Sequence, residues 1–115
     1  AIAKEFNEIY RCEDWYAYLI NDNEAALEMV LIVSKGFGMD KETSAMRHKI
    51  EKLAPYSASK IELIQEEVLQ LRNEFRLSFF IGDRLYEKKY VLNQGLKSGD
   101  LRIIKQLNKK GILLK

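Results

Sequence analysis

The sequence predicts an all-α fold, a helical bundle of about five helices forming a single domain over 1–115. Three observations predict it. There is one proline, Pro55, in 115 residues, so few breakers interrupt the chain. Apolar residues recur at three- and four-residue spacing along most of its length. From Ile64 to Tyr90 they follow an eleven-residue repeat that suits one continuous helix.

A first helix is predicted over 2–20, where Ile2, Phe6, Ile9, Tyr16 and Ile20 fall on one side. Asn21-Asp22-Asn23 breaks it and caps a second helix over 24–35, because their side chains accept hydrogen bonds from free N–H groups. A strand over 30–34 is the alternative there, given the β-branched run. Gly36-Phe37-Gly38 ends that element. Asp40 caps a third helix over 41–54, and Pro55 stops it. Asp100 caps the last helix, over 101–110, and Gly111 is the left-handed residue that closes it.

The central element is a long helix over 60–94. Ile64, Val68, Leu71, Phe75, Phe79, Gly82, Tyr86 and Tyr90 form one stripe, and Leu77, Ile81, Leu85, Leu92 and Leu96 form a second. Such a helix is about 50 Å long at 1.5 Å per residue. A compact domain of this size has a radius of gyration of about 13–14 Å. The apolar overhang therefore calls for a partner, most simply a second copy in a coiled-coil homodimer. Phe75, Phe79, Tyr86 and Tyr90 are its anchors and Gly82 its point of closest approach. A break at Gly82, with Asp83 capping a further helix, is the alternative.

The function this implies is that of a non-enzymatic, protein-binding regulatory accessory protein acting through helix–helix contacts. Trp15 and Tyr18, opposite Phe6 and Ile9 on the first helix, are further interface candidates. Charge supplies a second surface. Residues 1–83 carry a net −5 and residues 84–115 a net +7. Arg102, Lys105, Gln106 and Lys109, with Lys110 beside them, make a basic face for an acidic protein partner. In the alternative reading that face binds nucleic acid in a helix–turn–helix-like arrangement over 84–110.

Catalytic and metal chemistry find little support. His48 is the only histidine and Cys12 the only cysteine, too few for a zinc site or a nucleophile–base pair with independent support. Glu62 and Glu66 read as a solvated edge. No metal and no cofactor is predicted. A lone cysteine excludes an internal disulfide and suits a reducing, cytoplasmic setting. The longest apolar run, 29–33, is far short of the roughly 18 residues of a membrane span.

Overall fold

The computed structural model describes residues 1–7, 11–38, 45–64, 66–93 and 101–114. Its described residues are all-β, and the predicted helical bundle is corrected accordingly. The strands are β1 (Ile2–Asn7), β2 (Cys12–Asn21), β3 (Leu27–Phe37), β4 (Met46–Leu53), β5 (Ser57–Ile64), β6 (Arg72–Ile81), β7 (Arg84–Leu92), β8 (Arg102–Ile104) and β9 (Lys109–Ile112). One helical turn, α1 (Glu66–Leu69), precedes β6.

Two antiparallel sheets result. The order is β5-β2-β1-β9-β8 in one and β4-β3-β6-β7 in the other. Hairpins β1–β2, β3–β4, β6–β7 and β8–β9 stay within a sheet, while the connections β2–β3, β4–β5, β5–β6 and β7–β8 change sheet. Inward-facing residues of both sheets share two core clusters. Ile2, Trp15, Ala17 and Ile64 meet Phe75 and Leu92 in the first. Leu27, Val30, Ile32, Leu53, Leu77 and Phe79 form the second, with Leu19 and Ile61 packed on it from the other sheet.

The long helix over 60–94 is replaced by β5, α1, β6 and β7. The physical reason lies in the repeat itself. A step of four residues returns to the same face of a helix, and it is also twice the strand period of two. Along β6, Asn73, Phe75, Leu77 and Phe79 are buried, alternating with Arg72, Glu74, Arg76, Ser78 and Phe80. Phe75 and Phe79 of one supposed stripe and Leu77 of the other thus share one strand face, whereas Leu85 lies on the exposed side. The chain doubles back at Gly82-Asp83, a two-residue loop closed by the Ile81–Arg84 pair. Gly82 has φ +61° and Asp83 has no positive φ, the pattern of a type II′ hairpin. With no 50 Å rod, helix–helix contacts and the coiled coil fall away as the basis of function.

The other helices are corrected in the same way. Residues 2–20 hold β1 and β2, and β3 extends over the segment for which a strand was the alternative. The start of the predicted third helix, with Asp40, lies outside the described residues, and its later part is β4. The predicted helix over 101–110 is the β8–β9 hairpin, so no helix–turn–helix exists over the described part of 84–110; residues 94–100 lie outside it. Gly111 sits in β9 rather than ending a helix.

Scarcity of glycine and proline misled because several bends use other residues. Arg11, Met29, Tyr56 and Asn108 hold φ between 50° and 52°, the left-handed region that favours glycine. Met29 marks a bulge in β3, where the register with β6 shifts between Glu28 and Leu31.

Candidate functional site

Between the sheets lies a cavity of about 130 Å³. Ile2, Ala17 and Ile61 line it from the five-stranded sheet, and Ile32, Phe75, Leu77 and Tyr90 from the other. Leu113 and Leu114 complete the wall, and Leu113 is 50% exposed, which brings this end to the surface.

Local sequence explains the space. Ala17 pairs with Ile2 on β1, so a methyl group stands where a longer side chain would reach the opposite sheet. Next to it the β2–β5 register shifts between Ala17 and Tyr18, and Ile61 is the extra residue on β5. That bulge lets Ile61 pack against both core clusters. It also leaves Glu62 at the β4–β5 corner, where its Oε2 lies 3.4 Å from His48 Nε2. His48 is therefore a half-buried tie between the sheets.

The sequence-predicted aromatic residues are brought together, but as part of the interior. Phe75 faces Tyr90 and Phe79 faces Tyr86 across β6–β7. Phe75 and Tyr90 border the cavity, and Phe79 stacks on Tyr86 with centroids 5.5 Å apart. Trp15 is buried on the inward face, with Lys4 Nζ 5.1 Å from its ring centroid.

Tyr18 is turned to the outer face of the five-stranded sheet. Its hydroxyl donates to Glu5 Oε2 at 2.6 Å, and Lys60 Nζ donates to Glu5 Oε1 at 2.9 Å. Lys60 also lies 4.2 Å from the Tyr16 ring centroid. The Lys60 hydrogen bond, then that of Tyr18, holds the Glu5 carboxyl below the usual carboxylate range. Burial, then the bond to Glu5, pushes the Tyr18 phenol well above its ordinary value. A phenol so raised is a poor proton donor to substrate, and this cluster reads as structural.

The predicted basic set is split. Lys105 and Gln106 are exposed in the β8–β9 turn, where Gln106 Nε2 donates to Asp22 Oδ2 at 3.2 Å. Arg102 and Lys109 share one face of the hairpin by register, and Lys110 lies on the other. Lys109 Nζ points to Glu5, 3.8 Å away. The five residues do not form a single row.

Two buried amides escaped sequence reasoning. Asn21 Nδ2 donates to the carbonyls of Ala25, Leu53 and Ala54 at 2.9, 3.2 and 3.0 Å. Asn73 Nδ2 donates to Val68 O at 2.8 Å and Leu71 O at 3.1 Å, fastening α1 to β6. The side chain of Cys12 lies outside what the structure describes. Among the described residues no group of three or more His, Cys, Asp or Glu is placed to hold a metal ion. No protein-family model, curated protein or solved structure matches this chain.

Proposed function

We infer that the protein is a binding module whose two sheets hold a small apolar molecule. The cavity carries this reading: side chains from both sheets surround it, and nearly all of them are hydrocarbon or aromatic. Its size selects the ligand. Drug-sized and cofactor pockets run from roughly 300 to 1,000 Å³, whereas an apolar space of about 150 Å³ accepts benzene. At about 130 Å³ the site suits one ring or a short alkyl chain, and excludes a nucleotide. Tyr90 and Tyr18 are the lining residues whose side chains carry a polar group, and the Tyr18 hydroxyl is already engaged by Glu5.

Calorimetric titration with indole and with n-hexanol tests the reading. Binding is expected for the wild type, and Ala17→Leu, which fills the space, should weaken it at least tenfold while raising Tm. Leu77→Phe serves the same purpose should Ala17→Leu overpack. Absence of binding by both probes, or binding unchanged in a folded filled variant, overturns it.

A further inference from the structure

The outer face of the four-stranded sheet carries a feature independent of the cavity. Cross-strand register places Arg47, Val33, Arg76 and Lys89 in one row across β4, β3, β6 and β7. The adjacent row is Lys49, Leu31, Ser78 and Glu87. Directly opposed residues of an antiparallel pair project to the same side, so these eight positions share one surface. These positions hold four cations and one carboxylate on a chain whose total charge is only +2, with Lys89 among them paired to Glu74 of the same face.

The arrangement is specific. Leu31, 42% exposed, and Val33 form an apolar strip along β3. Arg47 and Lys49 flank it on β4, and Arg76 and Lys89 flank it on β6 and β7. A shallow trough runs along this strip, with Arg76, Ser78 and Lys89 among its walls. Among the described residues Arg47, Lys49 and Arg76 make no ion pair. Glu74, two residues from Arg76, is occupied by Lys89 at 3.1 Å and Arg72 at 3.5 Å.

We propose that this face docks an extended acidic segment of a partner protein, in which apolar and acidic side chains alternate along the face the segment turns to the sheet. Along an extended chain, residues two apart lie roughly 7 Å from each other, which is also the separation of the two rows. Apolar side chains of the segment cover Leu31 and Val33, and its carboxylates reach the cations on either side. Charge complementarity sets the on-rate and register of such a contact, and the apolar strip adds affinity. Single-stranded nucleic acid fits less well, because it seeks exposed rings for base stacking. The strip itself is aliphatic, with a single exposed ring, Phe80, two residues beyond Ser78, and the neighbouring Phe37 ring is already covered by Lys35 and Arg72, each 5.3 Å from its centroid.

Fluorescence anisotropy with a labelled peptide of about ten residues repeating Glu-Glu-Leu-Leu, which puts both types on each face of an extended chain, tests the proposal. The peptide should bind, and binding should weaken at least tenfold between about 0.05 and 0.5 M salt. Arg47→Glu with Arg76→Glu should weaken it at least tenfold at unchanged Tm, and Arg47→Lys with Arg76→Lys should retain most of it. Leu31→Glu, a surface change away from the core, should weaken it similarly. The proposal is overturned by absence of binding or by charge reversal without effect. Tighter binding of a single-stranded oligonucleotide, or of phosphatidylserine vesicles, overturns it too.

Discussion

Phe79 on β6 and Tyr86 on β7 stack across their hairpin, with planes 13° apart and centroids separated by 5.5 Å. The pair sits three residues on either side of the Gly82-Asp83 loop and locks the turn to the core cluster that holds Leu77 and Val30. Offset aromatic pairs contribute about 0.5–1.5 kcal/mol beyond the area they bury. A double-mutant cycle with Phe79→Leu and Tyr86→Leu, followed by urea denaturation, should return a coupling energy in that range. Strict additivity would show that the rings act only through burial.

Asn21 is 1% exposed, and its amide holds the end of β2 against the end of β4. Its Oδ1 also accepts from the Asn23 backbone N–H at 3.1 Å. Asn21→Leu leaves the carbonyls of Ala25, Leu53 and Ala54 without that donor, so the expected loss is about 3 kcal/mol. The urea midpoint should fall accordingly, with the m-value unchanged. A loss below about 1 kcal/mol would mean that water replaces the amide.

Backbone geometry gives a pair of opposite expectations. A Cβ at Gly111 would collide with the Ile2 carbonyl oxygen and lie 2.8 Å from Ala3 Cα. Gly111→Ala should therefore force β9 away from β1 and cost several kcal/mol. Tyr56 is 67% exposed and has φ 51°. Tyr56→Gly should relieve left-handed strain at little packing cost and stabilise by about 0.5–1 kcal/mol. Thermal denaturation of the two variants checks both signs.

The Glu5 cluster couples stability to pH. The carboxyl of Glu5 titrates below its ordinary 4.5 in the folded chain. Its contribution is present above that value and is lost as pH falls through the depressed folded-state value. Tyr18 titrates above its ordinary 10.0, so its contribution is present below pH 10 and is lost as pH rises beyond it. Glu5→Gln should flatten the acid limb of a Tm–pH curve, and Tyr18→Phe the alkaline limb. Limbs that keep their shape in these variants would assign the sensitivity to other groups.

What was legible in the sequence was the interior face, and what was not was the period that generates it. Phe75, Phe79, Tyr86 and Tyr90 do lie together, as the stripe required, but steps of four satisfy a strand as well as a helix. The deciding signal was present: Phe75, Leu77 and Phe79 alternate with Glu74, Arg76 and Ser78. The turns were harder to see, because Arg11, Tyr56 and Asn108 bend the chain where glycine is the usual marker. The cavity could not be read at all. It depends on Ala17 standing opposite Ile32 and Leu77 and on the bulge at Ile61, relations that exist only once the sheets are paired. The basic face was likewise hidden, since Arg47, Arg76 and Lys89 are far apart in sequence and meet only through register.

Intermolecular NOEs in a methyl-labelled sample test the central claim most directly, that the space between the sheets receives a small apolar ligand. Protons of bound indole should show NOEs to the methyl groups of Ile32, Ile61 and Leu77, which line the cavity from both sheets. NOEs confined to exposed side chains such as Leu63 or Leu85, with none to those three, would contradict it.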